Sequence, residues 1–335
     1  MTTTTIATTQ KNPRCQTTFK WSIAFTTMLA ATAAMAQSWP DKPVHLIVAF
    51  PPGGIVDTVA RQLQPKLQSA LGQPVIVENR AGAGGTVGAA EVARATPDGY
   101  KLLMVFDSYA TYSLTYPKLT FNPTKDLTPV TQIARNPLIL VVNPQVKANN
   151  VKDLVALSKA DPKALNYASV GAGSSNHLTA ELFKSVSGMQ AMHVPYKGGG
   201  PAMQDLLGGQ VQMMFLSAVL AQPHVQGGKL RAVAQTGVQR VSAFASVPTV
   251  AESGYPGFDV NSWVGLLAPA ATPKLVVERL HKEIRAIVQD PAFSVRLQEQ
   301  GLSGIGNTPE QFAKALEAEN KQWTQLVRER QLSMD

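Results

Sequence analysis

Two stretches of this sequence place glycine, proline and hydroxyl residues where a strand hands over to a helix. They are Phe50-Pro51-Pro52-Gly53-Gly54-Ile55-Val56-Asp57 and Ser169-Val170-Gly171-Ala172-Gly173-Ser174-Ser175-Asn176-His177. Such turns lie at the carboxyl ends of strands in α/β sheets, where ligands bind. Glycine lets the backbone approach a ligand closely, while the unpaired N–H groups and the dipole of a starting helix favour an anion. Each helix end contributes about 0.3–2 kcal/mol. Two ends, hydroxyls and closure of a cleft are therefore needed to reach the roughly −8 kcal/mol of micromolar binding. Either loop alone is as consistent with a plain connector; the pair predicts a cleft with two anion-friendly walls. Asp57 reads first as a cap or dipole partner of its helix and second as a ligand contact. His177, near Ser174, reads as a hydrogen-bonding pocket wall.

Catalytic patterns fail when tested against the same residues. The chain has no GxxxxGK[ST] phosphate loop and no G-x-S-x-G elbow, and Gly82-Ala83-Gly84-Gly85-Thr86-Val87 breaks the dinucleotide pattern at its sixth position. The five histidines show no HExxH spacing. His177 and Glu181, one helical turn apart, supply two candidate ligands where a metal site takes three or four. No cofactor, no metal and no enzymatic activity are expected, and a binding protein is favoured over its competitor, a secreted hydrolase or lyase.

Around these residues the composition is that of a soluble globular protein, 44% hydrophobic and long enough at 335 residues for two domains. The first stretch differs. Lys11, Arg14 and Lys20 precede an apolar run over residues 21–34, no acid appears before Asp41, and Ala34-Met35-Ala36 has the small-x-small form of a cleavage site. A secretory signal peptide over residues 1–36, cut after Ala36, is expected, and with it a periplasmic protein. Cys15, the single cysteine, would leave with that peptide. Removing the three basic residues takes the formal charge from +8 to +5. The remaining basic residues are dispersed, which leaves a nucleic-acid partner without support.

The elements that must position the two loops read as α/β with largely parallel sheets. Strands are expected at residues 44–49, 75–78, 101–106, 138–143, 166–169, 191–194, 211–215, 230–235 and 260–268. Helices are expected at 55–71, 86–95, 151–159, after Gly173-Ser174, and at 273–289, 291–300 and 309–330. Proline opens each of the last three, where its missing N–H costs nothing. Pro65 is expected to kink or split the first helix. The long helical tail is best accommodated on the first sheet. Lobe 1 is therefore drawn over residues 37–138 and 262–335 and lobe 2 over 139–261, with crossings near 137–140 and 258–264.

A series of ordered segments makes the sequence familiar. They include Trp39-Pro40-Asp41-Lys42-Pro43-Val44, Pro52-Gly53-Gly54 with Asp57, Val77-Glu78-Asn79-Arg80 with Gly82-Ala83-Gly84-Gly85, and Pro97-Asp98-Gly99-Tyr100. His193-Val194-Pro195-Tyr196-Lys197-Gly198 and Gly265-Leu266-Leu267-Ala268-Pro269 follow. In these the chain resembles the Bug-type receptors of tripartite tricarboxylate transporters, over essentially its whole length after the leader. The resemblance implies a two-lobed, hinge-closing receptor of the type II-like periplasmic binding-protein fold, with the C-terminal helices on the first lobe. It implies a small carboxylate ligand (di- or tricarboxylate, acidic amino acid or aromatic acid) and a membrane permease as partner; a signalling kinase is the alternative destination. A monomer is expected.

Carried over residue by residue, the ligand would lie against Pro52, Gly53, Gly54, Ile55 and Asp57 on one side and Ser169, Gly171, Gly173, Ser174, Ser175 and His177 on the other. Asp107, Ser108, Tyr109, Ala110 and Ser217 fall where the family completes its pocket. Ile55 stands where a small polar residue or proline is frequent, and Phe106, Asp107, Tyr109 and Tyr112 stand where small residues are common. Both departures favour an aromatic carboxylate over a small hydrated diacid. Tyr109 and Tyr112 read equally as packing or rim residues.

Overall fold

The computed structural model describes residues 1–8 and 39–332. The expected apolar leader, its cut site and Cys15 lie outside the described residues. The chain divides into two units, Met1–Asp41 and Lys42–Asp335, and the second carries all the elements below.

Strand β1 (Val44–Val48) is almost wholly buried, the mark of a strand covered on both faces. It lies between β2 (Val75–Asn79) and β3 (Lys101–Phe106), parallel to both. Helix α1 (Ile55–Leu71) buries Val56, Val59, Ala60, Leu63, Leu67 and Leu71, and it stays continuous through Pro65. Pro65 is exposed. The carbonyl one turn before it, which loses its N–H partner, is thus on the solvent side, and water can serve it. Helix α2 (Thr86–Ala93) follows a glycine-rich turn, and a 3-10 turn over Asp107–Thr111 leads from β3 into the short α3 (Tyr112–Thr115).

The sheet is more mixed than its sequence suggests. β4 (Leu127–Val142) begins well before its β-branched segment and pairs antiparallel with β9 (Asn261–Pro269) from Leu127 to Pro137. From Leu138 onward its partners are β7 (Met213–Ser217) and β8 (Arg231–Gln235), again antiparallel. Register shifts between Pro129 and Thr131 and between Gln132 and Ala134 interrupt its alternation. That interruption, with two prolines, hides the first half of the strand from a period-2 reading. Beyond this strand, β5 (Asn166–Ser169) runs parallel to β7 and to β6 (Met192–Pro195). The path through the sheet is β2-β1-β3-β9-β4-β7-β5-β6, with β8 and the two-residue β10 (Ser303–Gly304) also on β4.

Helices α4 (Val151–Ala160) and α5 (Ser175–Ser187) flank β5 in sequence, and two further helices appear that periodicity did not announce. These are α6 (Gly199–Leu207), which opens on Gly199-Gly200-Pro201 and so reads locally as a turn, and α7 (Ala218–Gln226), which contains Pro223. The tail forms α8 (Lys274–Gln289), α9 (Pro291–Glu299) and α10 (Pro309–Arg330). Thr308 and Gln311 close a capping box at the start of α10. This helix packs against β4 and the Asp107–Thr111 turn, and Arg330 near its end pairs with Glu181 of α5 at 3.3 Å. Leu138, Leu140 and Val142 join one buried cluster while Ile139 and Val141 join another, so β4 is covered on both faces. No helix among the described residues is long and apolar enough to cross a membrane.

Candidate ligand-binding site

The loop after β1 is tied back by Asp57. Its carboxylate accepts the Gly53 N–H at 2.9 Å, Arg61 Nε at 2.9 and 3.1 Å, and Asn79 Nδ2 at 2.9 Å. Burial pushes its pKa up, but the bonds from Arg61, Gly53 and Asn79 outweigh it and hold the group below its ordinary value. Asp57 is only 3% exposed, so it shapes the loop from beneath. Gly53 needs its φ of 81°, which side-chain-bearing residues rarely adopt. Pro52, Gly53 and Gly54 are exposed and Ile55 is half-buried, at the start of α1.

The loop after β5 is closed by its own hydroxyls. Ser169 Oγ donates to Gly171 O at 3.0 Å and accepts the Gly171 N–H at 3.2 Å. Ser174 occupies the N-cap position of α5 without making a side-chain cap bond. Its hydroxyl, which the sequence places for a ligand, donates to Gly171 O at 2.5 Å and lies 2.7 Å from Asn176 Oδ1. Gly173 donates its N–H to His177 Nδ1 at 3.0 Å. His177 is 2% exposed and forms a wall behind the loop.

Ser175 points the other way and donates to Asp107 Oδ1 at 2.9 Å. This bond joins the start of α5 to the end of β3. Asp107, Ser108, Gly173 and Ser175 line one small cavity together with Ser262 of β9 and Glu319 of α10. Burial pushes the Asp107 carboxyl up to about 6, against hydrogen bonds from the Ser262 and Ser175 hydroxyls and the Ser108 N–H. Burial, and then the nearby Asp107, push Glu319 up to about 8, although Trp263 Nε1 donates to it at 2.8 Å and Trp323 Nε1 at 3.2 Å. The lining includes no Lys, Arg or His. The lining brings the start of α5 and the hydroxyls of Ser108, Ser175 and Ser262 together with the carboxyls of Asp107 and Glu319.

Other sequence candidates lie elsewhere. Tyr109 is buried, and its hydroxyl donates to Pro123 O at 2.5 Å; Tyr112 is fully buried and donates to Gly84 O at 3.0 Å. Ala110 is buried, with its carbonyl accepting Asn320 Nδ2 of α10 at 2.8 Å. Ser217 ends β7 opposite Leu138, outside the cavity lining. Among the described residues no hydrogen bond joins the Pro52–Asp57 loop to the Ser169–His177 loop. Glu319 and Ser262 escaped the sequence reading, because one lies in a helical tail and the other in a crossing strand, and neither has a local motif. His193, which lies 2.7 Å from Ser169 Oγ through Nε2, stood inside a quoted family segment but carried no assigned role.

With this geometry in hand, similarity to known proteins is informative. The profile of the family described as "Tripartite tricarboxylate transporter family receptor" matches residues 59–332. The protein BugT of Bordetella pertussis is 38% identical over 301 residues, covering 89% of this chain and 92% of BugT. The periplasmic binding protein BugD is 34% identical, with a TM-score of 0.71 and coverage of 88% of this chain and 99% of BugD. R. palustris Rpa4515, solved with adipate, is 32% identical, with a TM-score of 0.75 and coverage of 88% and 99%. The fold is thus the α/β fold of periplasmic binding proteins of this kind, and the chain belongs to the tripartite tricarboxylate transporter receptor family.

Proposed function

We propose that this receptor captures a small carboxylate against the start of α5 and delivers it to the permease of a tripartite tricarboxylate-type transporter. The observation that carries the reading is the start of α5, where the Gly171–Gly173 turn and Ser175 meet Asp107 and Ser108 around one cavity; the donors there are held by protein acceptors and would turn to a ligand on binding. The adipate in Rpa4515, a relative of the same fold, supports a carboxylate as the ligand class. The two parts of the sheet, meeting at Pro137–Leu138 of β4, would act as two lobes over residues 37–138 with 262–335 and over 139–261. The mature protein would begin after Ala36 and act as a monomer in the periplasm.

Binding without catalysis fits the same residues. Ser169 lies beside His193 in the manner of a nucleophile and its base, yet it is 0% exposed and its hydroxyl is engaged with Gly171. A substrate carbonyl has no approach to it. The test is calorimetry with matched ligands, adipate and other carboxylates against their amides. The acids are expected to bind and the amides to bind at least tenfold more weakly, because a helix start stabilises an anion and gives little to its neutral isostere. Equal affinities, or no binding across a broad carboxylate panel, would overturn the assignment.

A further inference from the structure

Beneath the loop that follows β5 lies a group of rings contributed by three elements. Tyr167 and Ser169 come from β5, His177 from α5 and His193 from β6. The two imidazoles stack with centroids 4.0 Å apart and planes 10° from parallel. His193 also stacks on Tyr167 at 4.9 Å and 17°. Each imidazole holds a different point of the loop: His177 Nδ1 accepts the Gly173 N–H at 3.0 Å, and His193 Nε2 meets Ser169 Oγ at 2.7 Å. Ser169 in turn accepts the Gly171 N–H. The two glycines with φ of 141° and 73°, Gly171 and Gly173, are therefore fixed through one imidazole each.

The proton inventory of this arrangement is restrictive. To accept from Gly173, His177 must leave Nδ1 bare and carry its hydrogen on Nε2. A protonated His177 has no acceptor left, and two imidazolium rings stacked at this distance repel each other. We infer that His193, acting with His177, is a positioning residue for the ligand loop, and that the loop keeps its binding form only while His177 is neutral. The inference rests on the proposed role of this loop in carboxylate capture and adds the device that sets its shape.

The charges facing the pair agree with neutral rings. Burial, and then the neighbouring His193, lower His177 to about 4, and burial lowers His193. Glu181 of α5 favours the protonated rings and Lys184 of the same helix opposes it. Glu181 is itself matched by Lys184 at 2.5 Å and by Arg330 of α10 at 3.3 Å. Tyr167 of β5 stays neutral, its hydroxyl donating to Glu181 at 2.6 Å. β7 brings Met213 opposite Tyr167 and so no charge. Because the folded pKa of His177 lies below the unfolded value, its contribution to stability is complete above about pH 6.5 and declines as the pH falls toward 4.

The experiment is an NMR titration of the full, ligand-free chain from pH 8 to 3.5, following the Gly173 amide and the ring protons of His177 and His193. The Gly173 amide should titrate together with His177, with a midpoint near 4. In His193→Phe, which keeps a stacking ring but removes its charge, both midpoints should rise together. In His177→Phe, hydrogen exchange at Gly173 should quicken by about tenfold, the worth of one neutral hydrogen bond. A packing role alone would alter exchange without moving a titration midpoint at another residue. A Gly173 amide indifferent to the ionisation of His177 would overturn the inference, as would a His177 midpoint unchanged in His193→Phe. The wild-type titration decides by itself should either variant misfold. Since no ligand is used, failure of the carboxylate assignment would leave these results standing.

Discussion

Asp107 shows how much a single buried group can decide. Its carboxyl is 5% exposed and receives hydrogen bonds from hydroxyls of two different elements, Ser175 of α5 and Ser262 of β9. Burial still wins and lifts the group to about 6 from its ordinary value of 3.8. A folded-state pKa above the unfolded one means that the folded protein binds more protons across that window, so stability falls as the pH rises from about 4 to about 6. Asp107→Asn keeps an acceptor for Ser175 and removes the charge. It should raise the unfolding free energy by about 2–3 kcal/mol at pH 7.5, the worth of lifting a carboxyl from 3.8 to about 6, and by little at pH 3.5. Urea denaturation at the two pH values checks this. A destabilised variant at pH 7.5 would mean that the hydroxyls stabilise the carboxylate more than burial opposes it. Glu319 is raised partly by Asp107, so its own titration should move down in the same variant.

At the scale of elements, helices are bounded by local chemistry and placed by distant contacts. α10 starts where Thr308, Pro309 and Gln311 dictate, yet its use depends on bringing Glu319 between Trp263 and Trp323. α1 offers the cleaner test. Its apolar face, from Val56 to Leu71, holds the helix on the sheet strongly enough to carry Pro65 in its interior without a break. Proline costs about 3 kcal/mol relative to alanine inside a helix, and its stiffening of the unfolded chain returns about 0.4–1 kcal/mol. Pro65→Ala should therefore stabilise the protein by about 2 kcal/mol, read as a higher urea midpoint with an unchanged slope, and leave ligand affinity alone. No gain would show that water already satisfies the carbonyl at full value.

For the whole molecule, the two parts of the sheet are connected by β4 and by the return of the chain into β9, which pairs with the first half of β4. The Ser175–Asp107 bond spans the same division beside the cavity. If the two parts of the sheet act as lobes, as proposed, the cavity beside the Ser175–Asp107 bond is placed for hinge closure on a ligand. Small-angle scattering with a saturating carboxylate should give a smaller radius of gyration than the free protein. An unchanged radius at saturation would indicate a cavity that is preformed and rigid.

What the sequence determined by itself is what neighbouring residues settle among themselves. The fourfold spacing from Val59 to Leu71 marks α1, the runs at Lys101–Phe106 and Asn166–Ser169 mark β3 and β5, and Pro309 marks the start of α10; each coincides with the structure. The glycine turns after β1 and β5 were legible for the same reason, since φ values such as those of Gly53 and Gly173 belong to glycine. The first half of β4 was not legible, because its bulges and prolines make sense only against β9, a partner far along the chain. Nor could local pattern reveal that Ser174 turns its hydroxyl into its own loop while Ser175 reaches Asp107, or that Glu319 shares a cavity with that carboxyl. Those facts depend on which elements pack against which, and burial and hydrogen-bond direction come into being only when distant segments meet.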